Sequence, residues 1–378
     1  MKPRKVFVSA TKALALLLLL IPILWSLLPG YVAVIDTNWS SVWLTWDDIL
    51  GGESIVINWR WGYQGPAYVI CWNQTHSIQI NVYADFLNSV KIDGLRPGET
   101  YYYAIGYYEN GNMINWRIHS FRTPPASNPV VAIVLSDTHA PDRCTYRKIL
   151  KCVRGINADV LIHCGDIVDR SHISCWAAFF KDSSSILSRI PIMPTIGNHD
   201  IGYGDPTLFY KFFELPNNGK WYYYRLGNAI FVSLYVAEMF TFTFPTEEYE
   251  MLKEAAEIAR ESNLWLIVYF HIPPIDVMPF IHFPEISSKL GEVFSTIKPD
   301  LILAGHYHVY GRTKFKGSRI VLMGASGGLT NQIVWSSVFE KYSFKPGFGL
   351  LRVEVNRLHF EYISADGEVL DSFELVRT

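Results

Sequence analysis

Charge is scarce in this chain of 378 residues. Only 18% are Asp, Glu, Lys or Arg, and 33 basic against 35 acidic side chains leave a formal net charge of -2. Without a basic excess there is no broad electrostatic footprint for a nucleic acid, and no nucleic-acid partner is expected. Cysteine is scarce as well. Cys71, Cys144, Cys152, Cys164 and Cys175 make an odd count, so at least one thiol is left over from any intramolecular pairing. Cys144 and Cys152 fall in a segment expected to be helical, about 12 Å apart along its axis, which is beyond disulfide reach. No CxxC pair occurs, which removes the common thiolate zinc site.

Apolar residues are plentiful, with 49% hydrophobic and 15% aromatic content. A chain of this length and composition fits two domains with large buried interiors, plus an appendage. The appendage is residues 1–33, expected to be a signal peptide or a membrane anchor: Lys2, Arg4, Lys5 and Lys12 precede an uncharged run from Ala13 to Val34. Such a run is long enough to cross a bilayer, and its basic flank should stay in the cytoplasm. Tyr31 spoils the small-residue cleavage pattern around Val32-Ala33, so an uncleaved anchor is favoured over a removed signal. The expected location is membrane-anchored and facing outward, or secreted. Two sequons, at Asn38 and Asn73, fit that side of a membrane.

Residues 34–124 read as short alternating strands, SIVINWRWG, AYVICW, SIQINVYA, TYYYAIGYY and INWRIHSFRT, separated by Gly, Pro and Asn turns. That is the pattern of a small all-β sandwich. A PPASNP segment at 124–129 marks a linker. From 130 to 378 the rhythm changes to apolar strands followed by amphipathic helices, opening with VVAIVLSD, and it ends in antiparallel β structure. An α/β domain with mixed sheets is expected there.

Five strands of this second domain end in metal-binding side chains: Asp137-Thr138-His139, Gly165-Asp166, Gly197-Asn198-His199-Asp200, His271-Ile272-Pro273-Pro274 and Gly305-His306-Tyr307-His308. Strand carboxyl ends share one edge of a sheet, where α/β proteins bind ligands, so these groups are expected to converge. One His at a strand end is ordinary; five such ends in a row, carrying carboxylate, amide and imidazole, point to a two-metal site. His163 and Cys164 lie on a buried strand and read as core. Arg170 could contact a phosphate or sit in a surface ion pair. Two apolar segments, EMFTFTFP (238–245) and DVMPFIHFP (276–284), could rim the site for an amphiphilic ester or pack against protein.

In the order DxH, GDxxD, GNHD, HxPP, GHxH, these motifs resemble the calcineurin-like metallophosphoesterase family. The preceding β region, with LRPGETYYY and FRTPP, is similar to the fibronectin-III-like domain of purple acid phosphatases. The resemblance implies a β-sandwich metallophosphoesterase domain with flanking helices. It also implies two divalent ions (Mn, Fe, Zn or Co), one on Asp137, His139, Asp166 and His308, the other on Asp166, Asn198, His271 and His306, with Asp166 bridging. His199 would assist the leaving oxygen, Asp200 would orient His199, and Asp169 would buttress a ligand. Where purple acid phosphatases carry a tyrosine ligand this chain has Asp169, and where they have DxG it has His139, which implies a site without their colour. The implied reaction is in-line hydrolysis of a phosphate ester by a metal-bridging hydroxide, with a monoester as the leading substrate. A diester, a nucleotide or lipid phosphate, and a non-catalytic binding module remain the alternatives.

Overall fold

In the computed structural model of the chain, the described residues are 39–47, 53–125, 129–141, 144–202, 205–217, 219–236, 244–278, 283–324, 326–330 and 334–377. The expected leader or anchor at 1–33 and Asn38 lie outside them, as do most of the 238–245 segment and His282. No helix among the described residues is long and apolar enough to cross a membrane.

Seven strands form the first region: β1 (Ser41–Trp46), β2 (Ile55–Arg60), β3 (Gly65–Trp72), β4 (Ser77–Ala84), β5 (Leu87–Ile92), β6 (Thr100–Glu109) and β7 (Asn112–Arg122). They pair into two antiparallel sheets, β1-β2-β5 and β4-β3-β6-β7. The expected five strands are present, and β1 and β5 are added. In β1, SVWLTW, the small polar residues hide the strand signal, because all six residues are buried. One face of β1 packs on the second domain: Ser41 Oγ donates to the Phe180 carbonyl (3.1 Å), Trp43 Nε1 to that of Phe212 (2.7 Å) and Thr45 Oγ1 to that of Glu214 (2.6 Å). The Trp43 indole stacks on Phe180 with centroids 4.1 Å apart. Buried hydroxyl and indole donors need partners, and here backbone carbonyls across the boundary supply them. From Asn38 onward the chain is therefore one compact unit. The segment expected to be a linker begins as packed structure, since Thr123, Pro124 and Pro125 are buried.

The second region begins with β8 (Val130–Leu135), α1 (Thr145–Val153), β9 (Val160–His163), α2 (Ile173–Leu187), β10 (Ile192–Pro194) and α3 (Thr207–Phe212). Next come β11 (Tyr222–Leu226), β12 (Ala229–Ser233), α4 (Thr246–Glu261), β13 (Trp265–Tyr269), α5 (Pro284–Ile297) and β14 (Leu301–Ala304). It closes with β15 (Tyr310–Phe315), β16 (Ser318–Met323), β17 (Lys341–Ser343), β18 (Gly347–Val353), β19 (Arg357–Ser364) and β20 (Val369–Val376). One sheet runs β10-β9-β8-β18-β19-β20 and the other β11-β12-β13-β14-β16-β15-β17. Side chains from both sheets, among them Ile133 and Val134 from one and Phe231 and Ile267 from the other, share a single core. Helices cover the outer faces: α4 turns Met251, Leu252, Ala255, Ala256 and Ala259 inward at helical spacing and leaves most of its charged residues outside, Glu248 being buried with the apolar face. This is the expected α/β layout. Strands β8, β9 and β10 are mutually parallel, as are β12, β13, β14 and β16, and the carboxyl ends of these parallel strands carry the motifs.

Candidate metal centre

Asp137 and His139 follow β8, Asp166 follows β9, Asn198 to Asp200 follow β10, His271 follows β13, and His306 and His308 follow β14. These turns are tight. Ten non-glycine residues among those described have positive φ, and five of them are Asp137, His139, Asp166, His306 and His308. Such a conformation is costly for a residue with a Cβ, and its concentration here marks a backbone held in place by its surroundings. Two glycines are required by close approach. A Cβ on Gly197 would overlap the Asp166 amide and carboxylate, and one on Gly305 would overlap Ser136 Oγ and the Asp137 carboxylate.

His271, Asp166, Asn198 and His306 form a deep group. His271 Nδ1 lies 2.9 Å from the Cys164 carbonyl oxygen, which can only accept, so this nitrogen carries the hydrogen. In the neutral ring the lone pair on Nε2 then points at Asp166 Oδ2 (3.2 Å) and Asn198 Oδ1 (3.1 Å), and His306 Nδ1 is 3.0 Å from the same Asn198 oxygen.

Asp137, His139 and His308 form a second, shallower group with the same logic. His308 Nδ1 donates to the Leu329 carbonyl (2.7 Å), leaving Nε2 2.9 Å from His139 Nε2 and 3.3 Å from Asp137 Oδ1. Asp166 Oδ2 also lies 3.6 Å from His139 Nε2, so this one oxygen faces both groups.

Unshared electron pairs meeting at about 3 Å repel unless a cation lies among them, which makes this donor set a fit for metal ions. Among the described residues, Asp137/His139/His308 and Asp166/His271/His306 each bring ligand atoms within 4.8 Å of one another. The electrostatics carry the same demand for positive charge. Burial alone would raise the Asp137 and Asp166 carboxyls, yet neighbouring histidines hold both below the usual range, His139 first for Asp137 and His271 first for Asp166. Burial would lower His271, but Asp166 and Asp137 lift it to about 9. His306 is pushed down to about 3 by burial and by His271. Nitrogen, amide and carboxylate donors suit several divalent ions.

His199 stands at the edge of the shallow group, its ring 4.6 Å from that of His139. The expected orienting role of Asp200 is corrected by the structure. Asp200 is wholly buried and turned away: its oxygens accept from the Gly197 and Val168 amides at 2.9 and 3.1 Å, and burial raises its carboxyl to about 7. What orients His199 is the Asp169 carbonyl, 2.7 Å from Nδ1, which leaves Nε2 for other chemistry. The Asp169 carboxylate lies 3.8 Å from His139 Nδ1 and 3.6 Å from Arg170. His163 is a core residue, its Nε2 donating to Thr138 Oγ1 at 3.1 Å. Gly324 and residues 326–329, after β16, also build the site and are not marked as such by the sequence. The Gly328 amide donates to the Asp137 carbonyl (2.8 Å), Leu329 holds His308, and a Cβ on Gly328 would crowd the rings of both His308 and His139. The only sequence signal there is the small-residue run GASGG directly after an apolar strand.

This fold and this donor cluster are similar to those of metallophosphoesterases. Residues 131–310, just under half of the chain, match the family model for calcineurin-like phosphoesterase. It is similar to purple acid phosphatase 21 of Arabidopsis thaliana, 26% identical over 60% of this chain and 53% of the relative. It is also similar to probable inactive purple acid phosphatase 24 of the same plant, 22% identical over 90% of this chain and 67% of the relative. The solved purple acid phosphatase PPD1 from seeds of yellow lupin (Lupinus luteus) has the same fold, with a TM-score of 0.77 at 19% identity, covering 90% of this chain and 75% of that one. The chain spans about half the length of the first curated relatives it matches.

Proposed function

We propose that this chain is a metal-dependent phosphoesterase that holds two divalent ions and hydrolyses phosphate monoesters. One ion is assigned to Asp137, His139, Asp166 and His308, the other to Asp166, Asn198, His271 and His306. The observation that carries this reading is the convergence of the Nε2 atoms of His271 and His308, whose Nδ1 hydrogens are committed to the Cys164 and Leu329 carbonyls, on Asp166 Oδ2 and Asp137 Oδ1, with Asp166 Oδ2 facing both groups. When bound, such ions supply Lewis acidity, lowering the pKa of a water and polarising phosphoryl oxygens. The protein's part is to set charge and position. Asp137 and Asp166 are the only carboxylates in the two assigned sets, and neutral Asn198 leaves a positive surplus that attracts a phosphate. His199, with Nδ1 fixed on the Asp169 carbonyl, offers Nε2 to hold a proton for the departing alkoxide. The basic flank and apolar run of residues 1–33 support an outward-facing anchored or secreted protein.

The test is hydrolysis of paired chromogenic mono- and diesters by the detergent-solubilised chain, chelated and then resupplied with Mn, Fe(II), Zn or Co, with bound metal counted. Restored monoester turnover at about two ions per chain is the expected result. Diester preference would replace the substrate assignment; bound metal without turnover on either ester would favour a binding module, and absence of bound metal would overturn the reading.

A further inference from the structure

We infer that Phe283, Leu329 and Trp335 form an apolar rim around the metal centre that seats the hydrocarbon part of the substrate, so that the preferred esters are monophosphates of long alkyl alcohols. This rests on the phosphomonoesterase reading. An exposed leucine on its own is unremarkable on any protein surface. Leu329 differs because its carbonyl is bound to His308 at 2.7 Å while the residue is 78% exposed, which holds an exposed apolar residue beside the shallow group. At the deep group the Phe283 ring meets His306 edge-on, with centroids 5.4 Å apart. Phe283 is tied through its amide to Asp276 (3.1 Å), and the neighbouring Val277 carbonyl accepts from Trp335 N (2.8 Å). Trp335 remains 41% exposed at the end of that chain of contacts. Each of the two groups of metal-ligating side chains is thus bordered by hydrocarbon that its own histidine helps to position.

The chemistry of the partner follows from this layout. Ligand sites are largely apolar walls around a few convergent polar groups, and here the polar groups suit a phosphoryl group while the walls suit an alkyl chain. Half-exposed walls desolvate only part of each methylene, which corresponds to about a twofold gain in affinity per added carbon until the rim is covered.

The experiment uses the metal-reconstituted full chain and straight-chain alkyl phosphates from ethyl to decyl, each below its micelle concentration, with non-hydrolysable alkylphosphonates titrated calorimetrically in parallel. The wild type should gain about twofold in kcat/KM and in phosphonate affinity per methylene over the first several carbons. In the double variant L329S/W335S the decyl-to-ethyl ratio should fall by roughly tenfold, and Leu329→Phe, which enlarges the wall, should raise that ratio. A chain-length profile that is flat in the wild type, or one as steep in the double variant, would overturn the rim. Hydrolysis of none of the esters would strike the phosphomonoesterase reading instead, and the phosphonate series would still decide the rim.

Discussion

The two groups of the candidate metal centre both combine carboxylate with imidazole, at different depths, and only the deep one adds an amide. In the deep group the His271 and Asp166 side chains are 0% and 2% exposed, with Asn198 and His306 half-buried, whereas in the shallow group only Asp137 is buried, His139 and His308 keep 10% and 20%, and their neighbour Asp169 keeps 51%. The difference lies in what holds each imidazole. His271 is bonded to the carbonyl of Cys164, which directly follows β9 in the core, while His308 is bonded to Leu329 on an exposed loop. A wrong charge or an unsatisfied nitrogen therefore costs more in the deep group, and the shallow one is where exchange with solvent, ligand or product is easiest.

Removing the residue common to both groups should have the largest effect. Asp166→Ala should reduce turnover to background and bound metal to below one ion per chain, as counted by elemental analysis after dialysis; two retained ions would show that Asp166 bridges nothing. The next largest effect separates the groups. His271→Ala should cost both metal and stability, lowering Tm by several degrees because a buried pair is broken, while His139→Ala should lose one ion with little change in Tm. Equal losses in both variants would erase the distinction drawn here.

A smaller effect is expected at the margin of the shallow group. His199→Gln should slow turnover by about 10²- to 10⁴-fold with metal content kept, as for loss of a general acid. Asp169→Asn should weaken metal binding by about 10- to 100-fold, as for loss of a group that orients a ligand, measured by competition with a chelator.

The smallest effect concerns the support beneath the deep group. Glu248 in α4 is buried and accepts from the Tyr235 amide (2.6 Å) just beyond β12, the strand paired with β13, and burial lifts its carboxyl to about 8. A folded-state value above the unfolded one means that the native state holds the proton more tightly. This contribution is fully present below about pH 4.5 and is lost as pH rises toward about 8. Glu248→Gln should match wild type in Tm at acid pH and exceed it above pH 8, by on the order of a few kcal/mol in stability. A constant offset between the two Tm curves would remove Glu248 as the cause.

Much of this is legible in the sequence. Apolar runs such as VVAIVLSD and PDLILAGHYH announce strands covered on both faces, and the polar groups at their ends must emerge together because parallel strands share an edge. β1 escaped notice because its Ser and Thr bond to carbonyls of residues 180 and 214, far away in the chain. The GASGG segment escaped because glycine announces freedom without saying whose rings need the space. Asp200 was misread because sequence adjacency to His199 suggested a partnership, whereas the turn aims its carboxylate inward at two backbone amides.

The sequence by itself determined which donor types exist, their order along the chain and their place at strand ends, since side-chain chemistry and hydrophobic period are local properties. Only the tertiary structure decided which ring nitrogen of His199, His271 and His308 is free, which group of the cluster is deep, and which aspartate supports the backbone instead of His199. Each of these depends on a carbonyl or amide brought in by packing, and hydrogen-bond partners between distant residues exist only once the chain has folded.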